Sequence, residues 1–150
     1  MIPKFRVWHK ELERLMSVQI MWLDEGEISE LELNDSLMNE SIPVHRDDVI
    51  LMRSTGLFDV NGKEIFEGDV LTFLDDDNNP IYENAVVKFG QHTNVDTLFK
   101  RKPVYVGVYV EVQKGAATFD VVSMYNDYEG RLTIIGNIYE NPELVEEEND

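Results

Sequence analysis

The stretch Val104-Tyr105-Val106-Gly107-Val108-Tyr109-Val110-Glu111-Val112 decides the fold class. Every even position is Val, while Tyr105, Gly107, Tyr109 and Glu111 hold the odd ones. A repeat of two is that of a strand, whose side chains alternate between faces. Branched Val fits a pleated, half-buried surface, so the Val face is expected in a core. The Tyr105/Tyr109 pair reads as cross-strand packing ahead of a ligand platform. Gly107 leaves room for a bulge or a close backbone approach.

The same repeat extends outward in both directions. Phe5 and Val7 alternate with Arg6 and Trp8; after His9-Lys10-Glu11, Met16, Val18, Ile20 and Trp22 alternate again, predicting an N-terminal hairpin. Val49–Arg53 is a short apolar run that leads to Asp59-Val60-Asn61-Gly62, where Asn-Gly supplies the positive φ of a tight turn. Glu67-Gly68-Asp69 turns the chain into Val70–Leu74. Further strands are expected at Ala85–Phe89, Thr118–Tyr125 and Leu132–Tyr139, with joints at Asp75–Pro80, Lys114-Gly115 and Glu129-Gly130. Helix is scarce. Glu27–Met38 has Ile28 and Leu31 one turn apart, with Leu37 and Met38 two turns further on, and is expected to be helical despite Asn34-Asp35. Asn141-Pro142-Glu143-Leu144 offers an N-cap, a first-turn Pro and an acid for one or two helical turns. The expectation is one mainly-β domain over residues 1–150, a small bent-sheet or barrel-like domain with one or two short helices. An acidic region at about 24–48 and a frayed acidic tail at about 145–150 complete it.

Charge limits the function. The 150 residues carry 13 Lys plus Arg against 30 Asp plus Glu, a formal charge of −17. Such a chain repels a phosphate backbone, so no direct nucleic-acid binding is expected. At 43% hydrophobic it is too apolar for a disordered acidic tail. No apolar run reaches the roughly 18 residues of a membrane span, and the N-terminus lacks a signal-peptide core. Asp24, Glu25, Glu27, Glu30, Glu32, Asp35, Glu40, Asp47 and Asp48 face Arg46 alone between residues 24 and 48. Cations gather at Lys4, Arg6, Lys10 and Arg14 and at Lys100-Arg101-Lys102. The acid is read first as a solvated surface, and second as a polyanion mimic that needs phosphate-like spacing.

The chemical inventory is thin. With no Cys there is no disulfide, thiol nucleophile or thiolate zinc site, as suits a reducing interior. No Ser lies in a G-x-S-x-G elbow, and His9, His45 and His92 are widely spaced. Gly56–Glu64 imitates a phosphate loop but has one residue too many between its glycines and Glu64 where Ser or Thr belongs. Asp75-Asp76-Asp77-Asn78-Asn79-Pro80 imitates a calcium loop, yet Pro80 and Val86 replace the required Gly and Glu, leaving a solvated hairpin loop. Asn39-Glu40-Ser41 is a sequon without a secretory context. No catalytic, cofactor or metal residue is singled out, no cofactor is expected, and the binding residues are unassigned.

Three segments together resemble the YopX family of phage and prophage proteins. They are Phe5-Arg6-Val7-Trp8 with Lys10, the central Leu51–Val70 with its Thr55-Gly56-Leu57 and Asn61-Gly62-Lys63-Glu64-Ile65 core, and the closing Ile134–Leu144. The sequence departs at His9, where the family has Asp, and at Ser54, where it has an aromatic. The resemblance implies a β-rich, barrel-like fold and a gene carried by a bacteriophage or prophage. It supplies no reaction. Gly56, Gly62 and Gly68 read as turns, Ile65, Phe66, Ile135 and Ile138 as core, and Pro142 as a helix start. Thr55, Asn61, Lys63, Glu67 and Asp69 could form a loop-borne site, although tight turns need the same residues. The expected role is a non-enzymatic accessory protein in the bacterial host cytoplasm that binds a basic protein partner through its acidic surface. Alternatives are an acidic DNA mimic that inhibits a host DNA-binding protein, and a structural or assembly protein of the virion. Exposed strand edges also allow a homo-oligomer; no membrane partner is expected.

Overall fold

The computed structural model describes residues 4–93, 104–112, 117–120, 125 and 131–145. The chain divides into two compact units, Met1–Ser54 and Thr55–Asp150.

The first unit is an antiparallel meander of β1 (Phe5–His9), β2 (Arg14–Asp24), β3 (Glu27–Asp35) and β4 (Glu40–His45). A single 3-10 turn, Arg46–Asp48, returns the chain to β5 (Val49–Phe58), which pairs with β1. The predicted hairpin is β1–β2, with Arg6 opposite Ser17 and His9 opposite Arg14. Val7, Met16, Leu31, Leu33, Val44 and Val49 form its buried core, with Val18, Met21, Ile28 and Ile42 packed on it. At one end, Arg14 grips the buried Asp35 with two hydrogen bonds of 3.1 and 2.8 Å.

The helix expected over Glu27–Met38 is instead β3 and the turn after it. A bulge explains the misreading. Trp22 lies opposite Glu30 and Leu23 opposite Ile28, so Ser29 is the extra residue of β3. Ile28 and Leu31 both face the core because a bulge adds one residue to a repeat of two, which imitates the three-residue spacing of a helix. Leu31, Leu33 and Asp35 keep strict alternation beyond it. A second bulge at Gln19, between Val18 opposite Leu33 and Ile20 opposite Glu32, moves the inward phase of β2 from even to odd positions. Met21 therefore packs inward, while Ile20 and Trp22 turn outward, each 45% exposed.

The second unit holds β6 (Glu64–Phe66), β7 (Asp69–Leu74), β8 (Pro80–Thr93), β9 (Val104–Val112), β10 (Ala117–Asp120) and β11 (Leu132–Asn137). The strand orders are β4-β3-β2-β1-β5-β6 and β10-β9-β8-β7-β11. Among the described residues neither order returns to its first strand, so the sheets are not closed into a barrel and fit the bent-sheet alternative. β9 covers the stretch that decided the fold class. Its Val110 and Val112 are buried, and Val108 packs against Ile65, Leu71, Phe73, Ala85, Val87 and Leu132. Tyr109 and Glu111 are half-buried on the other face. Gly107 lies opposite Gly90, both at positive φ (150° and 143°), and a Cβ on either would meet nothing within 4 Å. Conformation, not close approach, is what calls for glycine there.

Two expectations at the C-terminal end change. Ile135 is 42% exposed, because Ile134 lies opposite Leu71 and Gly136 opposite Val70, which makes Ile135 a bulge residue. The terminal helix is one 3-10 turn, Pro142–Leu144, and Asn141 makes no cap bond. Its Oδ1 accepts the Asn137 N–H at 3.3 Å instead. A Cβ on Gly136 would come within 3 Å of that same carboxamide, which fixes glycine at this position. The Tyr105 side chain, His92 beyond its backbone, Lys100–Lys102, the joints at 114–115 and 129–130, and the tail from 146 lie outside the described residues.

Candidate functional site

The central segment is held by its own polar side chains. Asp59, buried, accepts the N–H groups of Asn61 and Lys63 on Oδ1, each at 2.9 Å, and that of Ile134 on Oδ2 at 3.1 Å. The backbone closes the same loop, with Asp59 N–H donating to Lys63 and Gly62 N–H to Asp59, and Gly62 at φ 80°. The acidic loop at Asp75 repeats this geometry. Asp75 Oδ1 accepts from Asp77 and Asn79, Asp75 N–H donates to Asn79, Asn78 N–H to Asp75, and Asn78 takes φ 63°. The calcium-like spelling is thus an Asx loop whose carboxylate is satisfied by amides.

The remaining polar residues of the motif serve similar ends. Thr55 Oγ1 donates to the Ile65 carbonyl at 2.8 Å and accepts the Leu57 N–H at 3.1 Å. Asp69, buried, accepts the Phe66 N–H at 2.8 Å. Asn61 and Lys63 are exposed at the loop tip, and Glu67 is half-buried. Of the five residues Thr55, Asn61, Lys63, Glu67 and Asp69, two, Thr55 and Asp69, are thus occupied by backbone. Near the end of the chain, Asn137 Oδ1 accepts from Tyr139 and Glu140, again fixing a turn.

In the first unit, residues distant in sequence do converge. A shallow cleft of about 420 Å³ is lined by His9 and Glu11 from the β1 end, Glu30 from β3, Pro43, Val44 and His45 from β4, and Asp48 from the 3-10 turn. His9 is nearly buried at 7% exposure, and its Nδ1 accepts the Leu12 N–H at 3.0 Å. An Asp at this position would offer the same acceptor, which accounts for the exchange noted above. His45 Nδ1 accepts the Asp47 N–H at 3.2 Å and caps the 3-10 turn. Two of the three histidines thus meet three carboxylates. No spacing signals this, because strand order alone brings the four segments together.

The outward side chains of β2–β4 form cross-strand rows that share Glu30, Pro43 and His45 with the cleft. Trp22, Glu30 and His45 make one row; Ile20, Glu32 and Pro43 make the next. Leu23, opposite Ile28 and so on the Met21 side, is 65% exposed, and the acids Asp24, Glu25 and Glu27 gather at the β2–β3 turn. Among the described residues, no group of three or more His, Asp or Glu is arranged to hold a metal ion, and no helix is long and apolar enough to cross a membrane.

The model of the family described as YopX protein matches residues 4–146. The chain belongs to the YopX family. Two solved structures share the fold: YopX from Bacillus subtilis, at 22% identity over 95% of this chain and 98% of that one, with a TM-score of 0.52, and EF1440 from Enterococcus faecalis, at 23% identity over 97% and 99%, with a TM-score of 0.51. No curated protein matches the chain. The match runs through both units, including the acidic region between the first two motifs. Within this YopX-family fold the motif acceptors of Thr55, Asp59, Asp69 and Asn137 are directed at backbone amides.

Proposed function

We propose that this YopX-family chain is a phage- or prophage-encoded accessory protein that acts in the bacterial cytoplasm by binding a basic protein, not by catalysis. The observation that carries the reading is the outward surface of β2–β4, where exposed Trp22 and Ile20 lie among Glu27, Glu30 and Glu32, with Glu25 at the adjoining turn. An exposed tryptophan on a sheet, ringed by carboxylates, has the form of an interface anchor inside a charged rim. The rim steers a basic partner and sets orientation, and salt screens that attraction beyond about 8–10 Å under cellular conditions. A second support is that Thr55, Asp59 and Asp69 of the central motif are engaged with backbone amides or carbonyls, whereas Glu30 of the first unit stands exposed.

Immobilised protein incubated with host lysate at about 0.05 M salt is expected to retain a basic protein that leaves as salt rises toward about 0.5 M. Trp22→Ala should lower retention without changing the salt at which the remainder elutes. Retention that ignores both salt and Trp22→Ala contradicts the reading.

A further inference from the structure

The cleft of the first unit has a chemistry of its own. His9 is more than nine-tenths buried, yet it lines the cleft. Because its Nδ1 accepts the Leu12 N–H, the ring carries its hydrogen on Nε2. Among the described residues no acceptor engages that N–H. A metal ion would need Nε2 without its hydrogen, so the Leu12 bond turns the imidazole away from ligation. Around it, Glu11, Glu30 and Asp48 are exposed carboxylates that form no ion pair among the described residues. The nearby cations are taken: Lys10 Nζ donates to the Asp47 carbonyl at 2.8 Å, and Arg46 pairs with Glu27 at 3.4 Å. Pro43 and Val44 give the cleft an apolar wall. Its volume falls within the roughly 300–1,000 Å³ of small-ligand sites.

An anion would meet three carboxylates, and a neutral ligand would leave them uncompensated. The set asks for a cation with an aliphatic stem, accompanied by an acceptor for one imidazole N–H. A lysine or arginine within a peptide offers all three: charge for Glu11, Glu30 and Asp48, methylenes for Pro43 and Val44, and a backbone carbonyl for His9 Nε2. We propose that this cleft captures a basic side chain of an extended peptide segment, with His9 donating to the peptide backbone beside it. The proposal rests on the binding reading above and locates the partner's basic segment within it.

The test titrates the full ¹⁵N-labelled chain with acetyl-tetralysine amide and follows the imidazole nitrogens. Before addition, the His9 ring is expected to carry its hydrogen on Nε2; with the probe, His9 and His45 resonances should shift along one saturable curve. The double variant Glu30→Gln/Asp48→Asn should weaken binding at least about fivefold. Asp77→Asn/Glu83→Gln removes the same charge from exposed positions of the other unit and should change binding by less than about twofold. Equal weakening by both variants overturns the site, since it means a diffuse field; so does a His9 protonated on Nδ1. Undiminished capture of the lysate partner by Glu30→Gln/Asp48→Asn overturns the partner's assignment to this cleft while leaving salt-dependent binding intact.

Discussion

Asp59 and Asp75 each accept two amide hydrogens from their own loops, but only Asp59 is buried and takes a third, from Ile134. Water can replace Asp75 at its half-exposed loop; it cannot reach the amides behind Asp59 as easily. Asp59→Ala is therefore expected to cost about 3 kcal/mol and Asp75→Ala about 1 kcal/mol in urea unfolding. Equal costs would mean that the Ile134 bond adds nothing. His9 follows the same logic. His9→Ala leaves the Leu12 N–H without its acceptor and should destabilise by about 1–2 kcal/mol, whereas His9→Asp restores an acceptor and should lose less than half of that. Thermal denaturation of the two variants side by side decides the order.

At the level of elements, β4 is an edge strand with Pro43 near its middle. A proline offers no N–H to an incoming strand, and Glu40 adds charge at the start of the same edge. Pro43→Thr should therefore raise self-association, seen as a concentration-dependent increase in mass by light scattering over that of the natural chain; an unchanged mass would show that this edge needs no guard. Strands were legible in the sequence wherever a repeat of two ran unbroken, as in β9 and in Met16–Val18 of β2. They became illegible at bulges. Ser29 made β3 imitate a helix, Gln19 reversed the face of Ile20 and Trp22, and Ile135 took the exposed position of a bulge. One inserted residue leaves the composition unchanged and inverts every face beyond it. Turns were legible because Asn-Gly and Glu-Gly-Asp carry their conformational reason in themselves. The cleft was not, because Glu11, Glu30, His45 and Asp48 share no local pattern and meet only through the order of strands.

For the whole molecule, the charge of −17 is best understood by where the described acid goes. Asp35, Asp59, Asp69 and Asp75 are spent on an ion pair or on amides, and so belong to the fold. Glu25 and Glu30 stand exposed on the turn and outward face of the β2–β4 ribbon with Trp22 and Ile20, and so remain for a partner, while Glu32 on the same face accepts the Ser41 hydroxyl. The central claim is that this surface recognises a basic protein. Its most direct test is the affinity of the recovered partner across a salt series, for the natural chain and for Glu30→Lys/Glu32→Lys. The account predicts tight binding that weakens steadily with salt, and charge-reversed binding at least about tenfold weaker at low salt with a flatter salt slope. Equal affinity and equal slope for the two proteins would contradict it.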